Sequence, residues 1–494
     1  MRLRRIICFS LAAIMILSLV GCDSSKKTAA NETESKYIID ENPLAFVSDN
    51  EVKFVKQKDG FVKVYDKSEL DKNSGTIIEI DSKTAKQKID GFGASFTDTT
   101  TYLLMGLPEE TRNDAMTKLF DDEKGIGFSL IRNPIAACDF SLEYYTYDDM
   151  QEGEEDFELE HFDFSKAADQ VALTKQAMSI NENAKLFLSS WTAPLWMKTE
   201  YEWLGTANAS LRRDCYNVYA DYLVKVIESY EEADVPVYSI SAQNEPFSSL
   251  DWPGMMWTWE QLANFTNDRL KPALDEAGLK TQIHNLDYNW NRAENGGDQL
   301  MSATMDSAAG VAYHWYSGDP ETMEETAYYF PGKDIYVTEA SSDRPTNLSN
   351  MLKITSKTVR SLRSGANGFI LWNIAIGTNG GPTYRDINLH NSGLLSVNEE
   401  TKEVEFTSDY YALAHFSKFI HAGATVVEST DTGVDNEYEL VNVVTANPNG
   451  TMTAVIVNNN AEESATCKMV MGDKVMEVDV AARSTVTVTW DANK

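Results

Sequence analysis

The sequence alternates between two kinds of segment over about 300 residues, from about residue 91 to residue 395. Short apolar runs of strand length recur every 30 to 50 residues or so, and helical stretches lie between them, as at 166–180, 216–229, 258–274 and 348–362. Regular alternation of strand and helix is typical of an α/β protein with a parallel sheet. The apolar runs predict the eight strands of a (β/α)8 barrel; they span 91–96, 128–132, 185–190, 237–242, 281–286, 310–314, 334–338 and 368–372.

A doubly wound open sheet is the alternative to the barrel. Such a sheet usually carries a glycine-rich phosphate loop after its first strand. The first strand here begins with Gly91-Phe92-Gly93, and no Gly-x-Gly-x-x-Gly motif follows it. We therefore predict a barrel over residues 89–400, with Ser165 as the N-cap of the helix at 166–180.

Both ends of the chain contain short segments in which apolar and polar residues alternate, as in half-buried β-strands. These segments include 61–65 and 76–80 near the N-terminus, and 438–444, 452–457, 474–480 and 484–490 near the C-terminus. Turn residues such as Asn-Pro-Asn-Gly (447–450) separate the C-terminal segments. We predict that residues 37–88 and 401–494 together form a small β-sandwich beside the barrel.

The first 21 residues have the composition of an export signal. Three arginines precede an apolar stretch at 6–20, which is shorter than the roughly 20 residues that span a bilayer as a helix. The stretch leads into Leu-Val-Gly-Cys (19–22), which resembles a bacterial lipobox; the alternative is an ordinary signal peptide with a chance cysteine. We predict a signal peptide at 1–21, lipidation of Cys22 and a flexible tether at 22–36. The protein would then be exported and held at the extracellular face of a bacterial membrane only through its lipid.

The charge balance is strongly acidic, since 43 Lys and Arg stand against 76 Asp and Glu, a formal net charge of −33. A nucleic-acid-binding surface needs clustered Lys and Arg, so a nucleic-acid partner is excluded. Residues 148–160 hold eight acids and no base, a pattern typical of a solvated loop.

The cysteines have no paired spacing, which predicts neither a disulfide framework nor a metal site, and no cofactor is expected. Buried thiols are expected instead at Cys138, Cys215 and Cys467.

Barrel enzymes carry their catalytic groups at the carboxyl ends of the strands. Two strand ends hold glutamates: Glu245 follows the fourth strand and Glu339 the seventh. A carboxyl pair suits acetal cleavage, because one group must be protonated to release the leaving oxygen and the other ionised to attack the anomeric carbon. A single glutamate at a strand end is more often structural, but the Asn-Glu-Pro context and the matched second glutamate favour catalysis. Other strand ends carry Asp98, Arg132, Trp191, Asn244, His314 and Trp372.

Several longer strings make the sequence resemble glycoside hydrolase family 30, which includes glucosylceramidases and β-1,6-glucanases. The most specific strings are Cys-Asp-Phe-Ser (138–141) and Trp-Thr-Ala-Pro-Leu-Trp-Met-Lys-Thr (191–199), and Gln-Asn-Glu-Pro (243–246), Tyr-His-Trp-Tyr (313–316) and Val-Thr-Glu-Ala (337–340) add to them. The resemblance implies a retaining β-glycosidase that acts on a carbohydrate or glycolipid, with Glu245 as acid/base and Glu339 as nucleophile. It also implies that Arg132 orients the nucleophile. The implied −1 subsite contains Asp98, Trp191, Asn244, His314 and Trp372, with Tyr316 as a further candidate.

Some assignments keep alternatives. His314 has a second interpretation as a hydrogen-bonding core histidine. Trp252, Trp257 and Trp259 form either a platform for the leaving group or the packing of the fourth helix. The competing functions are a non-catalytic carbohydrate-binding lipoprotein and a same-fold enzyme that acts on β-xylosides. A metal hydrolase is disfavoured because the six histidines include no His-Glu-x-x-His motif. The linkage, endo or exo action and the oligomeric state are open at this point.

Overall fold

The computed structural model describes residues 37–433 and 438–493. The predicted signal peptide, Cys22 and the tether lie outside these residues. Within them, no helix is both long enough and apolar enough to cross a bilayer. The first strands of the described chain are β1 (Leu44–Ser48), β2 (Val55–Lys56), β3 (Lys63–Asp66) and β4 (Thr76–Ile89).

The barrel is built from the strands that follow. In chain order these are β5 (Gly91–Ser95), β6 (Leu130–Ile135), β7 (Lys185–Ser190), β8 (Leu204–Gly205), β9 (Val237–Ser241), β10 (Leu250–Pro253), β11 (Gln282–Asn289), β12 (Gly310–His314), β13 (Asp334–Glu339) and β14 (Gly368–Gly377). Strands β8 and β10 pair with each other as a separate ribbon. The other eight are parallel, in the order β13-β12-β11-β9-β7-β6-β5-β14, and the pairing of β13 with β14 closes the barrel. The predicted (β/α)8 architecture and its eight strands are confirmed.

Helices surround the barrel, with bounds close to those predicted. They are α1 (Asp98–Met105), α2 (Glu109–Phe120), α3 (Ala168–Ile180), α4 (Tyr216–Glu232), α5 (Trp259–Phe265), α6 (Lys271–Glu276), α7 (Gly297–Thr304), α8 (Thr322–Tyr329), α9 (Leu348–Arg363) and α10 (Ser408–Ser417). The helix predicted at 258–274 is divided, because a π-helical turn over Thr266–Leu270 joins α5 to α6.

The prediction that Ser165 caps the third helix was wrong. A 3-10 turn over Phe164–Ala167 precedes α3 and moves the start of the helical segment toward the N-terminus. The Asp163 side chain accepts a hydrogen bond from the Ser165 backbone amide at 2.9 Å. Asp163 therefore satisfies one of the free amides at this end.

Two strands extend the barrel sheet after closure. β15 (Gly393–Val397) pairs parallel with β14, and β16 (Val404–Phe406) pairs antiparallel with β15. The predicted boundary at residue 400 thus falls between two strands that are both hydrogen-bonded to the barrel sheet.

The last strands are β17 (Ala424–Ser429), β18 (Leu440–Ala446), β19 (Thr451–Asn458), β20 (Ala465–Met471), β21 (Lys474–Val480) and β22 (Ser484–Asp491). They join the N-terminal strands in the order β2-β1-β22-β19-β18-β17-β4-β20-β21-β3. This sheet has a hydrophobic core of its own, so both chain ends build one side domain, as predicted. The ends also meet directly, because the Ile38 amide donates to the Ala492 carbonyl at 3.0 Å.

The acidic segment at 148–160 is only partly the solvated loop that its composition predicts. Most of its carboxylates are exposed, but Asp148 and Asp156 are buried. The Trp196 indole nitrogen donates to Asp148 at 3.0 Å, and His161 Nδ1 lies 2.9 Å from Asp156. Cys138, Cys215 and Cys467 are buried free thiols, as predicted.

Candidate active site

The two predicted catalytic glutamates line one cleft at the carboxyl end of the barrel. Glu339 is the last residue of β13, and Glu245 lies four residues after the end of β9. Both carboxyl groups face a cavity of about 360 Å³, yet the residues are only 6% and 9% exposed. Nδ1 of His314 lies 3.2 Å from Oε1 of Glu245 and 4.0 Å from Oε1 of Glu339. The two carboxyl groups therefore face each other across a single imidazole nitrogen.

Two donors hold the Glu339 carboxylate. Arg132 Nη1 lies 2.6 Å from Oε2, and the Tyr316 hydroxyl donates to Oε1 at 2.9 Å. Charge-assisted hydrogen bonds of this kind stabilise the negative charge and fix the orientation of the oxygens. Arg132 thus contacts the predicted nucleophile, as the resemblance implies, and Tyr316, which was expected only as a subsite residue, contacts it as well.

Arg132 is itself enclosed by polar and aromatic groups. Its Nη2 lies 2.7 Å from Oδ1 of Asn244 and 3.0 Å from Oδ2 of Asp287. Its guanidinium carbon lies 5.0 Å and 5.4 Å from the ring centroids of Trp191 and Trp372. Burial opposes the charge, but the anions Asp287 and Glu339 outweigh it and raise the guanidinium pKa. The side chain is a fixed cation beneath the cleft.

Asp287 is a buried member of this network that the sequence analysis missed. It accepts hydrogen bonds from Arg132, from the Ser189 hydroxyl at 2.6 Å and from the Thr338 hydroxyl at 2.8 Å. Burial would raise its pKa, but Arg132 and His314 hold it well below the ordinary value. The residue directly follows the predicted fifth strand, so the strand-end rule would have selected it. A register shift between Leu286 and Tyr288, with φ of 44° at Asp287, directs its side chain into the network.

His314 bridges the acid/base candidate and this buried aspartate. Its Nε2 lies 3.0 Å from Oδ1 of Asp287, while Nδ1 contacts Glu245. Burial lowers the imidazole pKa, but the neighbouring Glu339, Asp287 and Glu245 raise it overall to about 9. At neutral pH the ring is therefore an imidazolium that donates from both nitrogens. The histidine contacts the catalytic pair directly, which favours the site interpretation over that of an ordinary core histidine.

The backbone fixes the Asn244–Glu245 segment. The Asn244 amide donates to the Ser190 carbonyl at 2.7 Å, and the Glu245 amide donates to the Asp287 carbonyl at 3.0 Å. Glu245 has φ of 46°, a left-handed conformation that is rare for residues other than glycine. Such conformations persist where surrounding contacts over-determine them, which is common at active sites.

An aromatic pair and a second missed aspartate form another wall of the site. Trp191 and Trp372 are stacked, with ring centroids 5.2 Å apart. Trp372 Nε1 lies 3.4 Å from Oδ2 of Asp139, a cleft-lining residue, and Asn388 donates to the same oxygen at 2.9 Å. Burial and the charge of Glu339 raise the pKa of Asp139 to about 7. Asp139 belongs to the specific Cys-Asp-Phe-Ser string, but it lies beyond the end of its strand and so escapes a search of strand ends.

Asp98 is not among the residues that line the cleft. It is the first residue of α1, and its Oδ1 accepts a hydrogen bond from the Tyr145 hydroxyl at 3.1 Å. Burial raises the pKa of its carboxyl to about 6. Asp139 lines the same cavity as the two glutamates, and the −1 subsite role of Asp98 stays a prediction, since Trp191, Asn244, His314 and Trp372 are outside this cavity lining as well.

The tryptophan group after Glu245 divides between the two interpretations left open above. Trp252, on the β8–β10 ribbon, lines the cleft and packs near Trp191 and Trp372. Trp257 is buried, and its indole nitrogen donates to Gln243 at 3.2 Å. Trp259 is the first residue of α5. Only Trp252 of the three is placed to touch a ligand in the cleft.

Residues 89–420 match the model of the Glycosyl hydrolase family 30 TIM-barrel domain. The chain belongs to glycosyl hydrolase family 30. The match spans the closed barrel, β15, β16 and α10, and it includes every residue of the cleft.

Known family 30 proteins are similar over most of the chain. The endo-1,6-β-D-glucanase BGN16.3 of Trichoderma harzianum is 31% identical over 398 residues, which cover 77% of this chain and 79% of the relative. The lysosomal acid glucosylceramidase of Mus musculus is 26% identical over 420 residues, covering 79% and 78%. The solved structure of the endo-β-1,6-glucanase BT3312 superposes with a TM-score of 0.80 at 26% identity, covering 91% of this chain and 99% of that one.

As a family 30 member, the protein is an enzyme, a retaining β-glycosidase. The facing carboxyl pair agrees with this chemistry, because a retaining enzyme needs both groups close to one anomeric carbon. The alternative of a non-catalytic glycan-binding lipoprotein is not favoured.

Proposed function

We propose that this enzyme hydrolyses β-1,6-glucosidic bonds by double displacement, with Glu339 as nucleophile and Glu245 as acid/base. One observation carries the assignment of roles: both carboxyl groups line the same cleft, but only Glu339 is held by a guanidinium and a phenol. The donors on Glu339 fix the orientation of its oxygens, as a nucleophilic carboxylate requires.

In the first step, a carboxylate oxygen of Glu339 bonds to the anomeric carbon of the glucose unit. The bond from that carbon to the glycosidic oxygen breaks, and the oxygen takes the proton of Glu245 as the leaving alcohol departs. His314 then stabilises the new Glu245 carboxylate, because its Nδ1 is already 3.2 Å away.

In the second step, Glu245 takes a proton from a water molecule. The water oxygen bonds to the anomeric carbon, the ester bond to Glu339 breaks, and the nucleophile is regenerated as a carboxylate. Two inversions at the same carbon give a product that retains the β configuration.

The glucose unit would be held by the groups between the two glutamates and the indole wall. Asn244 would bind the 2-hydroxyl, and the Asp139 carboxylate would accept from hydroxyls farther from the reacting bond. The indole nitrogen of Trp191 is buried and makes no hydrogen bond within the described residues, so it would be available as a donor. Buried donors of this type usually have a partner when a site is filled.

The 1,6 linkage is proposed from the two glucanases named above, one similar in sequence and one in structure. Glucosylceramide is the second candidate, since the mouse glucosylceramidase covers a comparable share of the chain. A product profile on β-1,6-glucan, glucosylceramide, β-xylosides and short β-glucosides separates the two. We expect release of glucose oligomers from β-1,6-glucan; cleavage of glucosylceramide with no action on the glucan would overturn the linkage assignment.

Replacement of Glu339 tests the catalytic assignment. Glu339→Ala removes the nucleophile, and we expect turnover of a nitrophenyl β-glucoside to fall by at least about a thousandfold. Azide should restore part of the activity and give a glucosyl azide of inverted configuration, because the small anion attacks from the vacated face. Glu400→Ala, at an exposed glutamate, is the control and should retain wild-type turnover. Full activity in Glu339→Ala would disprove the assignment.

We further propose that the enzyme is exported and anchored through a lipid on Cys22, on the sequence features described above. Metabolic labelling with a palmitate analogue should mark the wild type and leave Cys22→Ser unlabelled and released into the medium. Equal labelling of both proteins would disprove the anchor.

A further inference from the structure

A second groove lies among the loops that follow the barrel strands β6, β7 and β14. Its volume is about 490 Å³, and three aromatic side chains line it: Tyr144, Trp203 and Tyr384. Glu143, Glu202 and Arg385 lie around the aromatic rings. We refer to these six residues as the aromatic groove.

The aromatic groove and the cleft are formed by the same loops. Tyr144 lies five residues after Asp139 on the loop that follows β6, and Tyr384 lies four residues before Asn388 on the loop that follows β14. Asp139 and Asn388 line the cleft and are hydrogen-bonded to each other. A backbone hydrogen bond of 2.7 Å from Tyr384 to Ser141 ties the two loops together. The two loops that carry Asp139 and Asn388 at the cleft therefore also carry Tyr144 and Tyr384 at the aromatic groove.

The ribbon β8–β10 also contributes to both the cleft and the aromatic groove. Trp203 precedes β8, Trp252 lies on β10, and the Gly254 amide donates to the Trp203 carbonyl at 3.0 Å. One ribbon thus places one tryptophan at the cleft and another at the aromatic groove.

The chemistry of the aromatic groove suits a neutral sugar. The ring centroids of Tyr144 and Tyr384 are 4.6 Å apart, those of Tyr144 and Trp203 are 6.1 Å apart, and Tyr384 is 44% exposed. Aromatic walls with a few polar groups are typical of small-ligand sites, and C–H faces of a pyranose pack well on such rings. The two glutamates would accept hydrogen bonds from hydroxyls, and Arg385 would donate to ring or hydroxyl oxygens.

The loop between the two sites is strained. Arg385, Asp386 and Asn388 all have positive φ, at 66°, 51° and 53°. Strained residues cluster where a loop is fixed for ligand contact. This backbone observation is independent of the aromatic composition.

We infer that the aromatic groove is a subsite for the next sugar unit on the non-reducing side of the bond that is cleaved. The leaving group lies next to Glu245, which protonates it, whereas the groove is built on the loops that carry Asp139 and Asn388, which the reaction steps do not use. This inference rests on the proposed function and sharpens it: a filled subsite on that side makes a chain of two or more glucose units a better substrate than a single glucoside.

Two nitrophenyl substrates test whether the groove lies on the non-reducing side of the cleaved bond, because they share a leaving group and differ only on that side. One carries a single β-glucose, and the other carries two glucoses joined by a 1,6 linkage. We expect the wild type to cleave the diglucoside with at least about tenfold higher kcat/KM. Trp203→Ala and Tyr384→Ala should remove most of that advantage and leave the monoglucoside within about twofold of wild type.

Tyr328→Ala is the control, since Tyr328 is 78% exposed on α8, and thermal unfolding verifies that each variant is folded. Equal kcat/KM on both substrates in the wild type, or a retained advantage in both groove variants, would overturn the inference. Failure to cleave either substrate would instead overturn the proposed function itself.

Discussion

Four charged side chains balance one another beneath the cleft. Arg132 and His314 are cations at neutral pH, and Asp287 and Glu339 are their anionic partners. Buried charges are tolerated when they are paired and hydrogen-bonded, and breaking such a pair leaves an uncompensated charge. Glu245 contacts this set through His314, whose Nδ1 lies 3.2 Å from its Oε1.

The His314 imidazolium should make the protein sensitive to alkali. Its pKa in the folded protein is about 9, against an ordinary value near 6.5. The resulting stabilisation is complete below pH 6.5 and is lost as the pH rises through about 9. We expect the melting temperature of the wild type to fall between pH 7 and pH 10 more steeply than that of His314→Gln. Parallel curves for the two proteins would contradict the assigned charge.

Asp287→Asn should impair catalysis through its neighbours, although the side chain keeps its shape. Loss of the anion leaves Arg132 and His314 less compensated, so the pKa of His314 should fall and the guanidinium should hold Glu339 less firmly. We expect kcat to drop at least about tenfold, with a smaller change in KM. The imidazole titration followed by NMR checks the cause, and Asp251→Asn, at an exposed aspartate, is the control. An unchanged His314 titration would show that Asp287 does not act through the histidine.

Among single residues, the sequence predicts those at the carboxyl ends of the barrel strands, because these ends line the mouth of the barrel. Arg132, Asn244, Glu245, His314 and Glu339 all lie in one network for that reason. Asp287 follows the predicted fifth strand and meets the same rule, although the register shift that turns its side chain into the network is not encoded in the apolar pattern. Asp139 depends on the path of a loop beyond the end of its strand.

Among the elements, α9 joins the barrel to the side domain. The Thr355 hydroxyl lies 3.1 Å from that of Thr485 on β22, and Arg363 donates to the Ser429 carbonyl on β17 at 3.0 Å. At its start, the Asn347 side chain accepts from the Ser349 and Asn350 amides, while Asn350 accepts from the Asn347 amide, so the helix begins with a reciprocal cap. A capped first turn of α9 therefore contributes to the stability of both the barrel and the side domain, because the helix contacts both.

Removal of the α9 cap should weaken the whole molecule. Asn347→Ala leaves the first amides without their side-chain acceptor, a loss of about 1 kcal/mol in the free energy of unfolding. Urea denaturation checks this value, and Asn347→Asp, which keeps the acceptor, should unfold near the wild-type midpoint. An Asn347→Ala midpoint equal to that of the wild type would refute the role of the cap.

Element positions follow from the period of the apolar pattern, which is why the eight barrel strands were predicted. The break in the helix at 258–274 was not predicted, because a π-helical turn leaves the amphipathic pattern nearly unchanged. The β8–β10 ribbon was also missed, since two short strands with a tryptophan and a proline give no clear alternation.

In the whole molecule, a buried histidine lies at the seam between the barrel and the side domain. His415 on α10 contacts the Thr487 and Ser48 hydroxyls, each at 2.8 Å, and those residues belong to β22 and β1. Burial lowers its pKa to about 3. The neutral ring is thus the form that joins the two domains.

Low pH should therefore weaken the contact between α10 and the side domain. Stabilisation by neutral His415 is complete above its ordinary pKa of about 6.5 and is lost as the pH falls toward 3. We expect the melting temperature of the wild type to drop between pH 6.5 and pH 4 more than that of His415→Gln, which can still bond to both hydroxyls. An identical acid dependence in the two proteins would rule out this contribution.

The similarity of the two chain ends was enough to predict one side domain, but not its strand order. β4 pairs parallel with β20 and antiparallel with β17, partners that are more than 330 residues distant in sequence. Pairings over such separations depend on the finished barrel, because it brings the two ends of the chain to the same place.

The hydrogen bond between Ile38 and Ala492 has a consequence for re-engineering the chain. Because the described chain enters and leaves at neighbouring points of the side domain, a short peptide could join these points without crossing either domain. New termini could then be opened at Gly153, an exposed glycine whose Cβ position meets no neighbour within 4 Å. In such a circular permutant the strands of the side domain would become continuous in sequence, and the break would lie in the loop after β6, beyond the part that carries Asp139 and Tyr144.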